Sequence, residues 1–246
     1  MRPTNRVKQS LLEIILGADD FLKEVKLALD TDPLFDDPFI TEFKQLSVFE
    51  LNQAQHFASL YYPHILKTRL YQASALGSCP DEQLQFVLSD ILYDEYGCGD
   101  NTRSHMQLYR NFMTAVGCQI KASEDYFVLP ELAQYMHTME QLTRNGDWLS
   151  AIAAVGFASE WPIPQYYSNL LQGFRKIPGI TEDALELFSG HITLDVEHSQ
   201  MIEAAIRPYL HNTENQQRFS LGIKQNMQAR RKFHAALHHQ IFVKSD

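Results

Sequence analysis

His191-Ile192-Thr193-Leu194-Asp195-Val196-Glu197-His198 reads as about two turns of a helix. At roughly 100° per residue, positions 191, 195 and 198 fall within about 60° of one another, so a single face presents imidazole, carboxylate and imidazole. The interleaved Ile192, Leu194 and Val196 set this helix against a core. Polar groups on such a face cost on the order of several kcal/mol unless each is paired or coordinated. Metal coordination satisfies all three at once. The plain alternative is a solvated stripe in which Asp195 pairs with His198.

The rest of the chain shares this period. Apolar residues recur at three- and four-residue spacing almost everywhere, and alternation of period two is hard to find, which predicts an all-α protein. With 246 residues, 45% of them hydrophobic, the chain can bury one sizeable core, and no repeat, low-complexity tract or linker divides it, so residues 1–246 read as a single domain. Helices are predicted from Ser10 to Leu29, from a Ser47-Val48-Phe49-Glu50 capping box to about Leu76 with a kink at Pro63, and from Pro80 to Glu95. Others are expected from about Thr102 to Val116 and over 130–144, 147–161, 163–176, 181–209 and 213–241.

A formal charge of -9 argues against nucleic acid and anionic membrane surfaces as partners. Cys79, Cys98 and Cys118 form no C-x-x-C pair, which excludes a thiolate zinc site and a disulfide framework. Glu13, Asp19 and Asp20 interrupt the first apolar stretch, so no signal peptide is read, and the longest apolar run, Ala151 to Ala158, is too short to span a bilayer. The expected location is the cytoplasm.

Two further segments carry chemistry. Tyr93-Asp94-Glu95-Tyr96-Gly97-Cys98-Gly99 is followed by His105, ten residues after the Glu. In one straight helix Glu95 and His105 would stand about 15 Å apart, but the glycines permit a break that lets them converge. The alternative is an ordinary helix end with Glu95 in solvent. In Gly156-Phe157-Ala158-Ser159-Glu160, an acid ends an apolar run that must be packed, and Glu160 therefore needs a cation, either a metal or a Lys or Arg. Six nitrogen and oxygen ligands, Glu95, His105, Glu160, His191, Asp195 and His198, suit two metals with positions left open. Among the ten His residues none follows a Glu by three, so the Glu-x-x-His signature of ferritin-like bundles is absent.

The ordered set Asp94-Glu95-Tyr96-Gly97, His105, Gly156-Phe157-Ala158-Ser159-Glu160 and His191-x3-Asp195-x2-His198 resembles the haem-oxygenase-like di-iron oxidases. These are often labelled iron-containing redox enzymes and are related to the chlamydial death-domain-associated protein and, more distantly, to the TenA and PqqC folds. The similarity extends from about Gln53 to Tyr209. It implies a haem-oxygenase/TenA-like bundle of seven or more helices that binds no haem, assembles two Fe ions from those six side chains and reacts with O2 as co-substrate. Activities in the family include alkene-forming decarboxylation of fatty acids, fragmentation or N-oxygenation of amino acids and self-sacrificing formation of p-aminobenzoate. Some members add a carboxylate from an earlier core helix. Here Pro63 to Tyr71 offers Lys67 and Arg69 but no acid, which points away from N-oxygenation.

The expected function is thus a non-haem di-iron oxidase or oxygenase acting on a small carboxylate-bearing molecule. Mn or mixed Mn/Fe would suit the same ligands. An external electron donor and a homodimer complete the expected partners. Glu95 and His105, flanking the glycines, are expected to order when iron binds. Tyr93, Tyr96, Tyr109 and Trp161 read as packing residues, His56 and His64 as core or surface histidines. Arg230, Arg231, Lys232, His234, His238 and His239 read as a solvated basic face. Two other readings are a TenA-like hydrolase, which needs a nucleophilic Cys beside a buried acid, and a non-catalytic helical interaction protein.

Overall fold

Apolar stripes without strand patterning must bury helix against helix. The computed structural model describes residues 16–243, and they are helical with no strand among them. The predicted start of the first helix, with Ser10, Leu11, Leu12 and Ile15, lies outside them. In chain order the helices are α1 (Ala18–Asp30), α2 (Pro38–Gln45), α3 (Leu51–Ser78), α4 (Glu82–Glu95), α5 (His105–Ala115) and α6 (Pro130–Glu140). They continue with α7 (Trp148–Ile152), α8 (Ala158–Glu160), α9 (Ile163–Phe174), α10 (Glu186–Ile206) and α11 (Thr213–His238).

Two predicted starts move. Ser47 does not cap α3, because Phe49 is buried in the core and its N–H donates to the Lys176 carbonyl at 3.3 Å, which holds this stretch outside the helix. The capping box forms three residues later, where the Glu50 N–H donates to Gln53 Oε1 at 3.3 Å. Similarly, Asp81 caps α4 by accepting the Leu84 N–H at 2.9 Å, so Pro80 precedes the helix. The α2 helix was not expected: Asp37 caps it and Pro38 occupies its first turn, sending Phe39, Ile40 and Phe43 into the core.

The apolar side chains form two clusters. Leu187 and Phe188 of α10 belong to the first, Ile202 and Ile206 of the same helix to the second. His191, Asp195 and His198 fall between these ends. In α3, Tyr71 and Ala75 join the first cluster and Leu76 packs on the second, with Gln72 at the join. Gln72, Asp195 and His198 are buried at this seam between the clusters.

Candidate metal centre

Each candidate side chain reaches the seam for a local reason. Glu95 is the last residue of α4 and His105 the first of α5, and Gly97, Cys98 and Gly99 turn the chain between them at φ values of 82°, 53° and 90°. A Cβ at Gly97 would stand 2.3 Å from the Asp100 carbonyl oxygen, so this turn needs glycine for space as well as for φ. Glu160 follows a π-helical stretch, Ala153–Phe157, whose Gly156 lies against Ile202 of α10, where a Cβ would meet Ile202 Cδ1 at 2.7 Å. The Ala154 carbonyl, freed by the wider turn, accepts from Ser159 Oγ at 2.9 Å and Asn226 Nδ2 at 2.7 Å.

The six residues gather as two triads, Glu95/His105/His191 and Glu160/Asp195/His198, and within each triad the potential ligand atoms lie within 4.8 Å of one another. One helix, α10, therefore serves both. The His105 and His191 rings stand 4.2 Å apart. His198 Nδ1 lies 3.5 Å from Glu160 Oε2 and 3.8 Å from Asp195 Oδ1. His198 Nδ1 and Asp195 Oδ1 are both buried without a hydrogen-bond partner. Two orphaned donor atoms aimed at one point, beside a third carboxylate, fit a cation.

The electrostatics carry the same signature. Burial and the charges of Glu160 and Glu95 push the Asp195 carboxyl well above the usual range. His198 is raised to about 9: burial opposes its charge, but Glu160 and Asp94 outweigh it. Glu95, although buried, is brought down to about 2 by His105, whose Nδ1 lies 2.8 Å away, and His105 is raised in turn against its own burial. Burial and the neighbouring His105 lower His191 to about 3. Both shifts favour the protonated forms of Asp195 and His198, so a bound metal would take over the charge balance in the second triad.

Outer partners fix the imidazoles. His198 Nε2 donates to Asp94 Oδ2 at 3.0 Å, which leaves Nδ1 facing the second triad. His191 Nδ1 donates to the Leu187 carbonyl at 2.6 Å, leaving Nε2 free. Gln72 Nε2 donates to Glu160 Oε1 at 3.1 Å and approaches Glu95 Oε1 at 3.5 Å, so one amide spans the triads, and its own Oε1 is buried without a partner. Asp94 stands in the sequence motif beside Glu95, and Gln72 lies one residue beyond the acid-free stretch Pro63 to Tyr71.

Several sequence expectations change. Arg230 and His234 are buried, Arg231 pairs with Asp32 and His238 with Glu42, so of the basic stretch Lys232 and His239 alone are exposed. Tyr93 and Tyr96 are exposed, and the aromatic ring on the centre is Tyr167, 5.6 Å from His191. His64 lines the cavity with Nδ1 unpartnered. Cys98 Sγ donates to Asp94 Oδ1 at 2.8 Å, and the Asp94 bond raises its pKa. Burial raises Cys79 and Cys118, so none of the three is an activated thiolate of the kind a TenA-like hydrolase needs.

A cavity of about 60 Å³ lies against both triads and touches Arg69, Met106 and Arg230. An outer cleft of about 550 Å³ shares His105, Leu187 and His191 with it, which puts the first triad on the side towards solvent. Among the described residues no helix is long and apolar enough to cross a membrane.

An all-α bundle with two buried carboxylate–imidazole triads is of the class of helical proteins arranged to bind metal without haem. Comparison with known proteins gives the family: a profile described as iron-containing redox enzyme matches residues 55–231, and the chain belongs to that family. Relatives named 4-aminobenzoate synthase include one from Nitrosomonas europaea, 24% identical over 212 residues, 82% of this chain and 84% of the relative. Another, from Chlamydia trachomatis, is 24% identical over 205 residues, 81% of this chain and 84% of the relative. Among solved structures, a CADD-like protein of unknown function from Nostoc punctiforme superposes with a TM-score of 0.74 at 14% identity, over 93% of this chain and 99% of that one. A domain of unknown function with a heme oxygenase-like fold from Shewanella denitrificans gives 0.70 at 13% identity over 92% and 94%. A TenA homolog from Pseudomonas syringae gives 0.64 at 12% identity over 89% and 90%. The fold is haem-oxygenase-like, and the protein is an iron-containing oxidoreductase.

Proposed function

We propose that this enzyme is a di-iron oxidase or oxygenase that uses O2 to oxidise or cleave a small carboxylate-bearing molecule, an amino acid or a fatty acid. The supporting observation is the pair of triads on α10, in which Glu95, His105 and His191 would hold one ion and Glu160, Asp195 and His198 the other. Bound there, two Fe(II) ions supply electrons and Lewis acidity to dioxygen. The chain's own residues prepare that chemistry. Asp94 and the Leu187 carbonyl fix the ring orientation of His198 and His191, and Gln72 keeps Glu160 and Glu95 aligned without adding charge. Ile65, Ile163, Tyr167 and Leu187 give the cavity an apolar wall, and the first triad meets the outer cleft through which substrate enters.

Stopped-flow absorbance after mixing anaerobic Fe(II)-loaded enzyme with oxygen tests the reading. It predicts a transient visible band whose decay one class of fatty or amino acid accelerates, and products should be assayed for 4-aminobenzoate, the compound in the relatives' name. His191→Ala or Glu160→Ala should abolish the band, and a band that survives in either variant removes that residue from the ligand set. Metal analysis showing about two irons per chain supports the di-iron form, while manganese taken up in preference would replace iron in the same ligands.

A further inference from the structure

Helix α11 buries a guanidinium beside the centre. Arg230 is 6% exposed and lines the same cavity as Glu95, Glu160 and Asp195. Arginine keeps its proton at any pH the fold survives, so the charge is permanent. Elsewhere on this helix Arg218 and Arg231 each pair with an aspartate, Asp147 and Asp32. Among the described residues Arg230 pairs with no acid. Its hydrogen bond goes to Ser159 Oγ at 3.2 Å, an uncharged hydroxyl that Asn226 Nδ2 also reaches at 3.1 Å.

The carboxylates Glu95, Glu160 and Asp195 share its cavity but none makes an ion pair with it, and the groups that act most on its charge are the phenols of Tyr135, Tyr61 and Tyr166. Burial pushes Tyr61 up to about 12 and Tyr166 well above its ordinary value, so both stay neutral. His64 and His234 are held neutral by burial and by the Arg230 charge itself. A buried cation without a partner is costly, and a planar fork of N–H donors at a cavity wall matches a carboxylate.

We propose that Arg230 binds the carboxylate of the substrate, with the apolar body of the molecule lying against Ile65, Ile163 and Leu187 towards the two triads. The ligand class is a monocarboxylate with an apolar body. A cavity of about 60 Å³ holds the carboxylate and little more, so a longer body extends to the outer cleft past Leu187. That the ligand is the substrate rests on the oxidase reading; that a carboxylate binds here does not.

Isothermal titration of anaerobic Fe(II)-loaded protein with benzoate against benzamide, and octanoate against octanamide, tests the site. The wild type should prefer each acid over its amide by about tenfold or more, the size of one charge-assisted hydrogen bond. Arg230→Gln should lose that preference with iron content unchanged. Arg230→Lys, which keeps the charge without the fork, should weaken acid binding by about tenfold, and Arg69→Gln on the same cavity wall should keep the preference. Equal binding of acid and amide in the wild type overturns the proposal. So does acid binding undiminished in Arg230→Gln or in Arg230→Lys, or a preference abolished by Arg69→Gln. Two irons bound without acid preference would sink the anchor alone, and acid preference without iron binding would sink the oxidase reading alone.

Discussion

The two triads share α10 but are built differently. Glu160, Asp195 and His198 are buried, come from continuous helical backbone and are held from behind by Asp94 and Gln72. Glu95, His105 and His191 meet across a glycine turn, and two of the three border the outer cleft. A ligand set on rigid elements is already arranged before its ion arrives, whereas one that spans a turn spends part of its binding energy on ordering. The second triad should therefore hold the tighter ion and the first triad the more labile one.

The largest expected effect is on the buried triad. His198→Ala should remove tight iron binding and the oxygen-dependent band together, and measured uptake of two irons by this variant would erase the distinction. Next, Gly97→Ala forces a Cβ into the Asp100 carbonyl at a positive φ, which should displace His105. This variant should bind about one iron per chain, and hydrogen exchange over residues 93–108, which iron loading should slow in the wild type, should stay fast. Gln72→Glu adds a fourth carboxylate at the seam. It should lower the melting temperature of metal-free protein and enlarge the rise on Fe(II) addition, since the added repulsion is relieved by the ions. Asp94→Asn should weaken iron at the second triad by about 10- to 100-fold, the usual effect of removing a carboxylate behind a ligating histidine. The smallest effect is a pH dependence. His198 is raised to about 9 and must release its proton to ligate, and Asp195 is raised as well, so affinity at the second triad should fall as pH drops from about 9, measured by Fe(II) titration at several pH values.

The same contrast explains what the sequence revealed. In α10 the residues at 191, 195 and 198 stand out by their helical spacing, although Val196 between them is exposed, and the glycines at 97 and 99 announce the turn that joins Glu95 to His105. In α11 the buried face runs through Gln216, Phe219, Asn226, Arg230 and Phe233, and so many polar residues on that face hide its period and make Arg230 look solvated. Gln72 gives no signal, because a glutamine in a long helix is ordinary until the carboxylates it bridges arrive from α4 and α8. The α2 helix is short and follows Pro33, although Asp37-Pro38 is the cap and first-turn pair that starts a helix. Ser47 misled for the opposite reason, since its local pattern was overruled by the demand of Phe49 for the core.

The most direct test is an anaerobic Fe(II) titration by calorimetry, run in parallel on the wild type and Gly97→Ala. Two binding events of unequal affinity are expected in the wild type, with only the weaker one missing in the variant. A single event of one ion per chain, or two events that Gly97→Ala leaves unchanged, would contradict a centre built from one preformed and one turn-dependent triad.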